Sequence, residues 1–259
     1  MKCVILCGGK GTRLQEETEY RPKPLVKIDQ MPILWHIMKL YSHYGVKDFI
    51  LALGYKGEMI KDYFLNFEEL SNNFTLNLRD KNQRVIHESD ASLEDWSITF
   101  VDTGLETQTG GRVARLRKYL DGESEFFLTY GDAVSDVNIK ELYRYHQHMG
   151  KSLTLTGINQ TSPYGVLEVK NGVATSFKEK PKLDGIVSGG YFVCDKSIFD
   201  YLTPDEECVL EDDPMRTITK AGNLAVYHHH GFWKSMDTYK QVLELNEMWD
   251  SGNHPWVIW

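Results

Sequence analysis

The opening stretch Met1–Leu14 constrains this chain more than any other. Cys3-Val4-Ile5-Leu6-Cys7 is an apolar run of strand length, and it breaks directly into Gly8-Gly9-Lys10-Gly11-Thr12-Arg13. Glycine permits positive φ and lets backbone N–H groups approach a ligand with no Cβ in between. A strand that runs into glycines, a hydroxyl and two cations is suited to an anion, phosphate foremost. The plain alternative is a tight surface turn with Lys10 and Arg13 in water. Neither of the commonest phosphate loops is present. Gly11 is followed by Thr12-Arg13 rather than Lys-Ser/Thr, and Leu14 stands where G-x-G-x-x-G requires its third glycine.

Strand and helix patterns then alternate. In Arg21-Pro22-Lys23-Pro24-Leu25, two prolines fix φ on either side of Lys23 and hold it in an extended, low-entropy segment. Incidental charge on a stiffened loop is the competing explanation. Pro32 suits the first turn of a helix whose apolar positions Ile33, Leu34, Ile37, Met38, Tyr41 and Tyr44 recur at helical spacing, up to a stop at Gly45. Phe49–Leu53 reads as a buried strand, Gly57–Phe67 as a second amphipathic helix, and Trp96–Val101 as a strand resumed after a polar excursion over 71–96. This alternation predicts an α/β fold, a mostly parallel central sheet with helices on both faces.

Thr109-Gly110-Gly111 opens the next helix. Its glycines predict free N–H groups at the positive end of the helix dipole, with Arg112 in the first turn beside a ligand. Glu125–Tyr130 is a further buried strand. Asp132 lies just past its C-terminal edge, where open α/β sheets bind ligands, while Asp136 or Asn138 fits the cap of a helix over Asn138–Met149. From Ser152 the pattern changes to short strands, Leu153–Ile158, Gly165–Val169, Ala174–Phe177 and Val187–Val193, which predict a small β-rich portion. Lys178–Lys182 is a charge run that also fits a solvated turn. Two helical pieces near 198–202 and 214–221, a strand at 224–228 and a final helix Thr238–Trp249 complete the pattern. His228-His229-His230 would point to alternate faces of an extended segment and lack metal-ligand spacing, which favours a structural role. Asp237 ends a glycine and aromatic turn, and Trp256 and Trp259 are placed to anchor the tail.

With 259 residues the chain is long enough to bury one large core. Its 29 basic against 37 acidic residues, net −8, argue against nucleic acid or an anionic membrane as the main partner and favour a small anionic ligand at a locally basic loop. No apolar run approaches the roughly 20 residues of a membrane helix. The chain opens straight into a strand without a leader pattern, and its cysteines form no C-x-x-C pair, so a cytosolic (cytoplasmic) protein is expected. The aromatic loops and tryptophan tail suit a self-associating surface, and a homo-oligomer is expected.

Five motifs, in order along the chain, resemble one family, the sugar-1-phosphate nucleotidyltransferases. They are Gly8-Gly9-x-Gly11-Thr12-Arg13-Leu14, Pro22-Lys23-Pro24-Leu25, Gly131-Asp132, Glu179-Lys180-Pro181 and Asp237. Within the family the similarity is to the cytidylyltransferase branch, through Gly54-Tyr55-Lys56-Gly57, Val101-Asp102-Thr103-Gly104, Thr109-Gly110-Gly111-Arg112 and Gly231-Phe232-Trp233-x-x-Met236-Asp237. The chain departs from that branch at Ser188-Gly189-Gly190, where Asn-Gly-Gly is usual, and at Gly131-Asp132-Ala133, where Gly-Asp-Gly is usual.

The resemblance implies a Rossmann-like nucleotide-diphospho-sugar transferase fold in a single domain. Its nucleotide-binding part would span about 1–150 and its sugar-binding part about 151–259. The implied substrates are CTP and a sugar 1-phosphate, α-D-glucose 1-phosphate first, and the implied cofactor is Mg²⁺ on Asp132 and Asp237. Arg13, Lys23 and Lys180 are the implied catalytic cations. Gly8, Gly9, Gly11 and Thr12 would contact the nucleotide, with Gly104, Gly111 and Arg112 near its base or ribose. Glu179, Lys180, Ser188 and Gly189 would hold the sugar. UTP or dTTP, another phosphorylated acceptor, or a non-catalytic nucleotide-sugar sensor remain alternatives; a dehydrogenase is disfavoured by the incomplete glycine fingerprint.

Overall fold

Alternation along each strand sends neighbouring side chains into two separate cores. In the computed structural model, which describes residues 1–80, 83–87, 94–161, 165–179 and 182–259, Cys3, Ile5 and Cys7 pack into one core and Val4 and Leu6 into the other. Seven strands make the central sheet: β1 (Cys3–Leu6), β2 (Asp48–Leu53), β3 (Ser97–Asp102), β4 (Glu125–Tyr130), β5 (Leu153–Thr161), β6 (Lys182–Asp195) and β7 (Leu224–His229). Their order is β3-β2-β1-β4-β6-β5-β7, with β6 antiparallel to both neighbours and the other pairs parallel. The mostly parallel sheet is as the alternating pattern predicts.

Helices cover both faces. The helices α1 (Ile33–His43), α2 (Gly57–Leu65) and α4 (Ile139–Met149) pack on the Cys3 side with α6 (Tyr239–Asp250); α3 (Thr109–Arg115) and α5 (Asp213–Lys220) pack on the Val4 side. Their ends follow local chemistry. Asn138 caps α4 by accepting the Glu141 N–H, and Gly150 closes it in the left-handed region. Thr238 and Gln241 form a reciprocal capping box on α6. Asp136 instead accepts the Phe232 N–H at 2.7 Å, tying two distant segments together.

The β-rich region differs from its sequence reading in one respect. Leu153–Thr161 and Lys182–Asp195 are full members of the central sheet, and Val166–Lys170 with Val173–Lys178 forms the separate antiparallel hairpin. The hairpin strands are exposed, but short runs with apolar residues look alike in sequence whether or not they are buried, so the pattern does not show which of them join the main sheet.

The tail folds back on α1. Trp256 is 1% exposed, stacks on Phe232 at 5.5 Å and gives its indole N–H to His36 Nδ1 at 3.4 Å. The His36 Nε2 in turn donates to the Ile28 carbonyl at 3.2 Å, so the ring serves as a neutral donor and acceptor. Burial lowers its pKa to about 4. Among the described residues, no helix is long and apolar enough to cross a membrane.

Candidate active site

The strand ends β1 and β4 open into a cleft of about 330 Å³ at the C-terminal edge of the parallel sheet. The glycine loop forms one wall. Gly11 sits at φ +62, and a Cβ there would meet Thr18 Cγ2 at 2.7 Å, so the left-handed turn needs glycine. Gly9 is different: its φ is ordinary and a Cβ would meet nothing within 4 Å. Protein packing therefore does not account for that glycine, whereas close approach of a ligand to the backbone would.

Opposite the loop, four charged side chains from distant positions meet. Lys23 lies in a single 3₁₀ turn, Lys23–Leu25, rather than in the extended segment expected of it; only the flanking Pro22 and Val26 are extended. Its Nζ donates to Asp132 Oδ2 and to Asp237 Oδ1, each at 2.7 Å. Arg13, from the turn after the glycine loop, donates to the same Asp237 oxygen at 2.8 Å. The two aspartates come together through a two-stranded ribbon in which Ala133–Ser135 pairs with Trp233–Ser235, and the Met236 N–H donates to the Asp132 carbonyl at 2.8 Å. Residues over a hundred positions apart are thus set side by side by one short ladder.

Electrostatics follow from that geometry. Burial by itself would raise the Asp237 carboxyl; the Lys23 hydrogen bond and charge, with Arg13 and the Ser235 hydroxyl, outweigh it and hold the group below its ordinary pKa. The pairing leaves the four groups mutually neutral, so a cation bound between the two carboxylates would strengthen the cleft's attraction for a polyphosphate. Two carboxylates converging on one ammonium offer an all-oxygen donor set, which suits a hard divalent ion better than a soft one. Cys7 also lines the cleft, but burial, reinforced by the Asp132 charge, pushes its thiol far up, so it remains protonated and is no nucleophile.

Arg112 lies in the cleft wall with its charge already engaged. Its guanidinium donates to the carbonyls of Leu53 (3.0 Å), Gly104 (2.7 Å), Gly8 (3.0 Å) and Leu105 (3.3 Å) and to Thr103 Oγ1 (2.7 Å). A Cβ at Gly8 would fall 2.2 Å from this guanidinium, so Gly8 is small to admit Arg112. The arginine holds the ends of β1, β2 and β3 together; the expectation that it offers its charge to base or ribose meets donors spent on the protein's own oxygens.

The glycine pair of α3 is corrected in the same way. The Gly111 N–H donates to the Cys208 carbonyl at 2.9 Å, and a Cβ at Gly111 would lie 2.3 Å from the Asp205 carbonyl oxygen. Both glycines allow close packing against the 205–211 loop, and the Gly111 N–H is engaged there rather than free. Gly104, at φ +94, accepts from Arg112 and lies outside the cleft lining.

On the expected sugar side, Ser188 and Glu179 are exposed and do not line this cleft. The Gly189 carbonyl accepts the Trp233 indole N–H at 2.7 Å, and Gly190, at φ +76, leaves room for the Tyr130 ring within a bulge of β6. Lys180 lies outside the described residues. The structure thus gathers Gly8, Gly9, Gly11, Thr12, Arg13, Lys23, Arg112, Asp132 and Asp237 in one cleft and adds Tyr130, Thr107, Gln108 and Thr109, which were not among the expected site residues. Tyr130 directly precedes Gly131-Asp132 at the strand end, a signal that could have added it to the site.

Comparison with known proteins agrees with the geometry. A protein family model described as "Nucleotidyl transferase" matches residues 2–250. The chain is 48% identical over 259 residues to a Bacillus subtilis protein named "Probable glucose-1-phosphate cytidylyltransferase", and 42% identical over 260 residues to the glucose-1-phosphate cytidylyltransferase of Salmonella typhimurium; all of each chain is covered. The crystal structure of HddC from Yersinia pseudotuberculosis, 23% identical, superposes with a TM-score of 0.69 over 96% of this chain and 99% of that one, a likeness of fold. Fold, cleft and full-length similarity agree: the chain belongs to the nucleotidyl transferase family.

Proposed function

We propose that this chain transfers the cytidylyl group of CTP to a sugar 1-phosphate, with α-D-glucose 1-phosphate as acceptor, releasing pyrophosphate and a CDP-sugar. The observation that carries the reading is the meeting of Arg13, Lys23, Asp132 and Asp237 in one cleft, in a chain similar over its whole length to glucose-1-phosphate cytidylyltransferases. A phosphate oxygen of the sugar attacks the α-phosphorus in line, and the bond to the departing pyrophosphate breaks. No covalent intermediate is needed, in keeping with the protonated thiol of Cys7. Catalysis then comes from positioning and charge neutralisation.

Asp132 and Asp237 would hold Mg²⁺, which when bound supplies the positive charge that the four paired side chains lack. Lys23 exchanges its carboxylate partners for an α-phosphate oxygen, and Arg13, exposed at the mouth, takes the leaving β- and γ-phosphates. Gly8, Gly9, Gly11 and Thr12 approach the nucleotide. Lys180 would pair with the sugar phosphate, Glu179 with sugar hydroxyls, and Ser188-Gly189 with the sugar's far side. The nucleotide-binding part spans about 1–150 and the sugar-binding part about 151–259. The same reading places the protein in the cytoplasm as a homo-oligomer.

The test is a matrix of CTP, UTP, dTTP, ATP and GTP against several sugar 1-phosphates with Mg²⁺, scored by pyrophosphate release. The highest kcat/KM is expected for CTP with glucose 1-phosphate. Nucleotide binding without metal-dependent turnover would instead identify a nucleotide-sugar sensor.

A further inference from the structure

Glu211 sits at the rim of the cleft and joins two of its walls. Its Oε1 accepts the hydroxyl of Tyr130, at the end of β4, and its Oε2 accepts the hydroxyl of Thr109, at the start of α3, at 2.5 Å. Both Tyr130 and Thr109 line the cleft. The loop bearing Glu211 is strapped to α3 by further bonds, from the Leu210 N–H to Thr109 Oγ1 at 2.9 Å, from the Gln108 N–H to the Glu206 carbonyl at 2.8 Å, and from the Gly111 N–H to the Cys208 carbonyl. The Tyr130 ring is wedged against Gly190 and meets the Phe192 ring edge-on at 5.7 Å. These hydroxyls are held in place.

The hydrogen-bond inventory then decides what they show a ligand. An ionised carboxylate only accepts, so each hydroxyl spends its single proton on Glu211. Thr109 Oγ1 has a second site filled by the Leu210 N–H, and what remains on both hydroxyls is lone pairs. Thr107, Gln108, Thr109 and Tyr130 are uncharged, hydrogen-bonding residues of the same cleft lining, and side chains of this kind suit a base rather than a phosphate. A wall of acceptors favours an amino group. Cytosine carries an amino donor at the position where uracil and thymine carry a carbonyl acceptor.

We propose that Glu211 is a specificity-determining positioning residue, which turns the Tyr130 and Thr109 hydroxyls into acceptors and thereby selects a base with an exocyclic amino group over one with a carbonyl. The inference rests on the cytidylyl-transfer reading and adds to it the source of the nucleotide preference. Glu211→Gln keeps the shape of the side chain but can donate, which frees a hydroxyl proton to turn toward the cleft.

The test measures kcat/KM for CTP and for UTP with saturating sugar 1-phosphate in the wild type, Glu211→Gln, Tyr130→Phe and Thr109→Val, with thermal melts on each. The CTP-to-UTP ratio is expected to fall about tenfold or more in Glu211→Gln and to fall in both hydroxyl variants, because discrimination here depends on a matched polar pair. A purely structural Glu211 would lower melting temperature and both activities together and leave the ratio within about twofold of wild type, which overturns the proposal. A shift in sugar preference with an unmoved nucleotide ratio overturns it as well. Should Glu211→Gln fail to fold, the two hydroxyl variants decide by the same ratio. A wild type that prefers UTP overturns the cytidylyl reading along with this one; a wild type that prefers CTP with an unmoved ratio in the variants overturns this one alone.

Discussion

Replacing Arg112 by methionine separates a structural clamp from a nucleotide ligand. The change keeps most of the side chain's bulk and removes a guanidinium that serves five protein oxygens. Not all of these are orphaned. The Leu53 carbonyl keeps the Thr103 N–H and hydroxyl, and the Gly8 carbonyl keeps the Tyr55 N–H at 3.2 Å, whereas the Gly104 and Leu105 carbonyls lose the guanidinium. Hydrogen bonds from a charged donor contribute about 1.5–3 kcal/mol each, and partial compensation brings the net loss to about 2–4 kcal/mol. For a chain of this size that corresponds to a fall in Tm on the order of 5–15 °C. The assay is a thermal melt without nucleotide, paired with the Kd for CTP. A large drop in Tm is expected, with the loss of affinity following from a loosened Gly8 turn. An unchanged Tm with CTP binding weakened tenfold or more would refute the clamp and restore Arg112 as a direct ligand.

Other substitutions probe different parts of the same account. Lys23→Ala removes the cation shared by Asp132 and Asp237 and is expected to lower kcat/KM by on the order of a hundredfold or more in steady-state pyrophosphate assays. Ser188→Asn is expected to change the relative kcat/KM among sugar 1-phosphates; no change for any sugar would displace Ser188 from the sugar pocket. Trp256→Ala should cost about 3–5 kcal/mol in urea unfolding, since it empties a fully buried site and strands the His36 acceptor. His36 makes stability depend on pH. Its folded pKa, about 4, lies below its unfolded value, so the unfolded state binds the proton first and stability falls as pH drops from about 6.5 to about 4, by on the order of 3 kcal/mol. Unfolding curves across that window should show the slope in the wild type and a flatter one in His36→Gln.

Much of this protein was legible without coordinates, for physical reasons that are local. Cys3–Cys7 is apolar at every position, as a strand buried on both faces must be; Ile33–Tyr44 repeats apolar residues at helical spacing, as a helix with one buried stripe must. Lys23 between two prolines advertised its fixed position in the same local way. Asp132 stood out because it follows a clear strand and Arg13 because it follows a glycine loop, whereas Asp237 took its expected role from the family resemblance.

Their meeting was a different matter. The ribbon of Ala133–Ser135 with Trp233–Ser235 that sets Asp132 beside Asp237 joins segments with no signal of each other, because ladder pairing between distant strands depends on the fold as a whole. Arg112 and Gly111 show the opposite limit. A basic residue and a glycine pair at a helix start read as an anion site, yet tertiary packing brought the ends of β1, β2 and β3 and the 205–211 loop into reach and used those donors first. Nothing in the acidic run 205–213 distinguished Glu211 until Tyr130 and Thr109 were placed on either side of it. The sequence by itself determined the strands, the helices and the kinds of charge at the cleft, since these follow from neighbours along the chain. Only the tertiary structure decided which donors remain free for a ligand, since a hydrogen-bond donor is spent on whatever acceptor the folded chain brings nearest.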